Sequence, residues 1–196
     1  MDQPAMPPVR YIAFLRAINV GGHTVKMAAL RGLFEALGFT AVETFIASGN
    51  VIFHAPAQPT ALLEAQIAGH LEQALGYAVA TFVRSSTELA ALAAYAPFAP
   101  AERAAPGASL YVAFLATPPD AVAAAKLLAG RNPVDDFVIH DREIYWLCRA
   151  RFSDSLFSGP RLEKTLGQLA TVRNSTTVQK LVAKHPAPPS LNSPDR

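Results

Sequence analysis

The chain has 196 residues, of which 51% are hydrophobic and 16% charged, and its formal charge is +2. These proportions exclude a disordered chain and allow a sizeable buried core, in one large domain or two small ones. So small a charge does not by itself announce nucleic acid, and a single cysteine, Cys148, excludes an intrachain disulfide and a cysteine-rich metal site.

The opening MDQPAMPPVR has no basic stretch ahead of an apolar core, so no signal peptide is expected. Apolar runs are strand-sized or carry charges at helical spacing, so no membrane contact is expected either. One thiol suits a reducing, cytoplasmic setting.

Tyr11 to Arg16 is an apolar run of strand length that ends in a charge. After Asn19-Val20-Gly21-Gly22 comes a helix with Met27, Leu30, Leu33, Phe34 and Leu37 on one face, stopped at Gly38. Val42 to Ile46 and Val51 to His54 read as strands joined through Ser48-Gly49-Asn50. Pro59-Thr60 opens a helix with Leu63, Ile67, Leu71 and Leu75 in register, closed by Gly76, and Ala78 to Arg84 reads as a strand. Ser85-x-x-Glu88 is a capping box for a short helix that turns Leu89, Leu92 and Tyr95 inward. Pro97, Pro100 and Pro106 then make a connector.

The same order follows again. Leu110 to Leu115 is a strand, and Thr117-Pro118 is read as cap and first residue of a helix running to Leu128. Val134 to Ile139 and Glu143 to Arg149 form a hairpin, with Asp135-Asp136 read as solvated turn residues. A helix from Pro160 to Leu166 ends at Gly167, Leu169 to Arg173 is the last strand, and Asn174 or Ser175 caps a terminal helix. The order β-α-β-β-α-β, met twice, predicts an α+β fold of two ferredoxin-like units in one chain, with an extra C-terminal helix. The expected division is residues 9–84, a helix and Pro-rich connector at 85–108, residues 109–184, and a disordered tail at 185–196. Packing of the two sheets, face to face or edge to edge, stays open.

LRAINVGG (Leu15 to Gly22), MAALRGLFEALGF (Met27 to Phe39), SGNVIF (Ser48 to Phe53) and RNSTTVQKL (Arg173 to Leu181) occur in an order and spacing that resemble one bacterial family. It is the domain of unknown function 1697 family, and the resemblance covers nearly the whole chain. No one motif is specific; the four together are. The resemblance implies a cytoplasmic α+β protein and brings no established activity. The family's recurring polar positions fall on Arg16, Asn19, Gly21, Gly22, Ser48, Gly49, Asn50, Lys164, Arg173, Asn174 and Thr177. The chain departs from the family at His23-Thr24-Val25-Lys26, where relatives carry an unbroken polar loop with lysine.

The same residues have readings of their own. Asn19 to Gly22 lies between strand and helix, where glycines permit close approach and a helix start favours an anion. It matches neither GxGxxG nor GxxxxGK[ST], so no nucleotide fingerprint applies. Arg16 presents a fork suited to phosphate or carboxylate; the alternative is an ion pair with an acid such as Glu43. Ser48 lacks a base at telling distance, and turn chemistry explains it better than nucleophilic catalysis. Seven basic residues against two acids between Arg149 and Lys184 suggest a basic face, with Lys164 and Arg173 lining a pocket and Asn174 as a cap. Histidines and carboxylates show no metal-ligand spacing, and no cofactor is implied.

Three functions are therefore carried forward. The first is a protein that binds an anionic ligand, a phosphorylated small molecule or a nucleic-acid backbone, through Arg16, Asn19, Gly21, Gly22, Ser48, Asn50, Lys164, Arg173 and Asn174. An enzyme of unassigned class using the same pocket is the second, and a protein-interaction module the third.

Overall fold

Side chains alternate along a strand and recur every three or four residues along a helix, so each element has a face to bury. The computed structural model of the chain describes residues 7–20, 22–46 and 49–188. Its first half runs β1 (Val9–Leu15), α1 (Met27–Glu35), β2 (Thr40–Phe45), β3 (Asn50–Ala55), α2 (Thr60–Leu75) and β4 (Thr81–Ser85), then α3 (Ser86–Ala94) and a short α4 (Pro100–Arg103). Its second half repeats that order with β5 (Ser109–Phe114), α5 (Ala121–Ala129), β6 (Asp135–His140), β7 (Glu143–Cys148), α6 (Gly159–Leu166), β8 (Thr171–Asn174) and α7 (Ser175–Lys184). Two four-stranded antiparallel sheets result, ordered β2-β3-β1-β4 and β6-β7-β5-β8. The fold is α+β, with the split βαβ pattern made twice and a C-terminal helix added.

Helices α1 and α2 cover one face of the first sheet, where Leu30, Phe34, Leu63 and Ile67 pack with Ala13, Val51 and Phe53. Helices α5 and α6 cover the outer face of the second with Leu127, Leu162 and Leu166 against Phe137, Ile144 and Trp146. The inner faces turn toward each other. Ile12, Phe14, Ile52 and Phe82 meet Val112, Phe114, Tyr145 and Leu147 in a central core, sealed by Leu89 and Leu92 of α3 and Val178 and Leu181 of α7. Rings of Phe14 and Phe114 stack across it with centroids 4.0 Å apart. The sheets are thus packed face to face, and β1 and β7 are apolar on both sides because both their sides are covered.

Two buried arginines cross this core in opposite directions. Arg84 leaves β4 and gives its Nε to Glu143 at 2.6 Å and its Nη2 to the Leu115 carbonyl at 2.9 Å. Arg173 leaves β8 and gives its Nε to Asn50 at 2.7 Å and its Nη2 to the Leu15 carbonyl at 2.9 Å. Each last strand therefore grips the end of the other half's first strand and the start of its third.

Local chemistry explains most boundaries. Ser85 and Glu88 make both bonds of the capping box. Gly76 and Gly167 end α2 and α6 in left-handed geometry. Four expectations need correction. Helix α5 is capped by Asp120, which accepts from Ala123 N–H at 2.8 Å, and starts after the second proline, not at Thr117-Pro118. Asp135 is fully buried rather than solvated: it accepts from Trp146 Nε1 at 2.9 Å, Ser155 Oγ at 2.6 Å and Leu156 N–H at 3.2 Å. Tyr95 is 37% exposed, because α3 ends at Ala94 and turns its neighbour outward. Residues 189–196 of the expected tail lie outside the described residues, but His185 is buried at the end of α7.

Removing Arg84 leaves Glu143 buried without its partner, so Arg84→Ala should cost about 3–5 kcal/mol in denaturant unfolding. Glu64, which accepts from Val83 N–H at 2.7 Å, has its pKa held above the ordinary 4.5 by burial. A raised carboxylate contributes stability that is present below its unfolded pKa and lost as pH rises through the folded one. The stability difference between wild type and Glu64→Gln should therefore move in favour of the variant as pH rises from about 4.5. A pH-independent difference in urea melts would contradict this.

Candidate functional site

Helix α6 places Glu163 opposite the end of β1, where it takes Arg16 in a two-pronged pair, Nε to Oε1 at 2.5 Å and Nη2 to Oε2 at 2.7 Å. Glu163 also accepts from Ala170 N–H at 2.9 Å, which holds the acid in place as α6 passes into β8. The partner that the sequence suggested for Arg16, Glu43, instead pairs with Lys184 at 2.8 Å. The bond from Glu163 raises the Arg16 pKa further above neutrality. Arg16 keeps 36% of its side chain exposed.

Behind Arg16 lies Arg173. The residue is 9% exposed, and its guanidinium also donates to Thr171 Oγ1 at 2.7 Å and the Val172 carbonyl at 3.0 Å. Burial lowers its pKa to about 10, so it stays cationic at neutral pH. Asn50, fully buried, links this cation to the β2–β3 turn by donating Nδ2 to the Phe45 carbonyl at 3.0 Å. Where Arg84 meets a carboxylate at Glu143, Arg173 meets an amide at Asn50.

Other candidates have local roles. Asn19 accepts from Val25 N–H at 2.7 Å and ties the loop before α1. Asn174 is the cap of α7, accepting from Thr176 N–H at 2.9 Å. Gly22 is exposed at φ +89 with open space where a Cβ would be. Lys164 is exposed on α6 beside Glu163. Gly21 and Ser48 lie outside the described residues. Arg16, Asn50 and Arg173 are thus brought to one corner, linked through Leu15, while Asn19 serves the loop that leaves it and Asn174 lies apart, at the start of α7 beside Arg103 and Ser109.

The turn at this corner is strained. Ile46 takes φ +51, a left-handed angle that a β-branched residue rarely adopts, and its side chain is 54% exposed. Gly49 takes φ +74, and a Cβ there would stand 2.8 Å from Ile18 Cγ2. The Gly49 carbonyl accepts from Leu15 N–H at 2.8 Å, so the turn is fastened to the end of β1.

The family model described as Protein of unknown function (DUF1697) matches residues 9–145. The chain belongs to that family. Its fold is similar to the solved structure of a conserved bacterial protein of Streptococcus pneumoniae, with 22% identity, a TM-score of 0.68, and coverage of 91% of this chain and 98% of that one. No curated protein matches the chain. LRAINVGG, which supplies Arg16, and SGNVIF, which supplies Asn50, lie within the matched residues, whereas RNSTTVQKL, which supplies Arg173, lies beyond them.

One site residue escaped the sequence reading. Glu163 was counted only as an acid set against a basic stretch, and nothing in its spacing pairs it with a residue 147 positions earlier. A second group was missed altogether. The corner where Arg84 crosses holds a cavity of about 420 Å³ between α3 and the β6–β7 turn. Among the described residues no helix is long and apolar enough to cross a membrane, and no three His, Cys, Asp or Glu side chains are grouped to hold a metal ion.

Gly49→Ala should destabilise the chain by about 2 kcal/mol, combining a left-handed backbone with a Cβ clash against Ile18. Denaturant melts would check it, and a neutral substitution would mean that the turn is free to rearrange.

Proposed function

We propose that the protein binds a phosphate-bearing ligand at the corner formed by Arg16, Asn50 and Arg173, with Lys164 next to Glu163 on α6 and with Asn19 and Gly22 on the loop after β1. One observation carries the reading: Glu163 grips Arg16 along its Nε and Nη2 edge, while over a third of the side chain stays open. A guanidinium has five donors in a rigid fork, so a carboxylate on one edge fixes the plane in which the other edge is presented. Such a donor is oriented before the ligand arrives and loses less freedom on binding. Lys164 and the buried Arg173 add positive charge beside the Arg16–Glu163 pair. The ligand fits the reducing cytoplasm in which we place the protein, where Cys148 is buried as a free thiol.

An interaction surface is the second reading, and it too has an observation. Val20, Ile46 and Leu169 are 63%, 54% and 52% exposed, on the loop after β1, on the β2–β3 turn and beside Ala170. Three aliphatic side chains open on the segments that meet Arg16 and Glu163 suit contact with a macromolecule.

A thermal-shift screen of inorganic phosphate, pyrophosphate, nucleotides, sugar phosphates and short DNA and RNA separates the readings. A binder at about a hundred times its dissociation constant stabilises the native state by roughly 2.7 kcal/mol. Arg16→Lys keeps the charge but loses the fork, and should weaken that binder about tenfold or more, with Lys164→Ala having a smaller effect. A steep salt dependence with DNA or RNA would select the nucleic-acid backbone as the ligand. No shift with any anion, or a shift unchanged in both variants, would remove the reading.

A further inference from the structure

The cavity of about 420 Å³ lies at the other crossing point, where β4 enters α3 and the β6–β7 turn closes over it. Its size is that of a small-molecule pocket. Arg84 and Arg142 both line it, and both are already engaged. Arg84 donates to Glu143, Val83 and Leu115. Arg142 donates to Glu88 at 2.9 Å and Thr60 at 3.1 Å, and stands 3.6 Å from Glu64. Three carboxylates, Glu88, Glu143 and Asp141, line the cavity with these two guanidinium groups, and Glu64 stands 3.6 Å from both arginines outside the lining. Asp141 makes no ion pair among the described residues and is exposed on the cavity rim. The opposite wall is apolar and aromatic, built from Ala91, Leu92 and Tyr95, with the His140 ring 4.2 Å from that of Tyr95.

We propose that this cavity binds a small organic cation, an amine or guanidinium on an apolar stem, with its charge at Asp141 and Glu88 and its stem along Tyr95 and Ala91. Charge complementarity selects the sign. Arg84 has spent its donors on Glu143 and on carbonyls, and Arg142 turns its Nη2 to Glu88 and Thr60, so an anion would meet three lining carboxylates against two guanidinium groups already drawn to acids. An ammonium would gain a charge-assisted bond to a carboxylate and an aromatic neighbour at the same position. The site is independent of the anion corner and opposite to it in sign.

Isothermal titration of the full chain with agmatine, cadaverine and inorganic phosphate tests it. Agmatine or cadaverine should bind, with affinity falling as salt is raised. Asp141→Asn should weaken binding about tenfold or more, and Tyr95→Ala several-fold. Asp141 takes φ +52, which Asn tolerates, and Tyr95 is exposed, so both variants are expected to fold. Two results would overturn the proposal: no heat with either amine, or amine binding that both variants leave unchanged. Phosphate binding that Arg142→Ala abolishes would also overturn it, since the cavity would then be an anion site.

Discussion

Burial of two sheet faces against one another is the constraint on which the molecule depends. Phe14 and Phe114 stack at the middle of that contact, and neither sheet could leave such a surface in water. A core sealed this way must also deal with backbone carbonyls at the strand ends, which have no water to bond. Arg84 and Arg173 supply that need from opposite sides, each donating to the last carbonyl beyond or at the end of the facing half's first strand. The two halves are consequently joined by apolar area and by guanidinium donors that reach from each half to a carbonyl of the other.

The reciprocal crossing creates two similar corners with different chemistry. At one, Glu143 neutralises Arg84, further acids gather round Arg142, and a cavity opens beside α3. At the other, Asn50 replaces the carboxylate, and the acid has moved outward to Glu163, where it orients Arg16. A duplicated framework has thus been given opposite electrostatic character at equivalent places. Strain in the β2–β3 turn at Ile46 belongs to the second corner only, since the equivalent β6–β7 turn carries its positive φ at Asp141, a residue that accepts it readily.

Much of the fold was legible in the chain. Leu63, Ile67 and Leu71 mark the buried face of α2, Gly76 its end, and Ser85 with Glu88 the start of α3, because periodicity, left-handed glycine and capping are all local effects. Errors arose where local signals competed. Two prolines beside Thr117 imitate a helix start, yet the carboxylate of Asp120 captures the first turn. Asp135 reads as a surface residue until Trp146, Ser155 and Leu156 surround it with donors. The site was partly legible: Arg16, Asn50 and Arg173 stood out as polar residues in apolar or turn settings, and the family's motifs grouped them.

The order of elements, the antiparallel ferredoxin-like halves and the polar residues to watch were determined by the sequence alone, since each depends on neighbours within a few positions. Tertiary structure decided that the sheets face one another, that Arg16 answers to Glu163 and Arg173 to Asn50, and that a cavity forms beside Tyr95 and Asp141. Those outcomes depend on pairings between residues more than a hundred positions apart, or on space left between packed elements. Neither leaves a periodic trace in the chain, because only the folded geometry brings the partners within hydrogen-bonding distance.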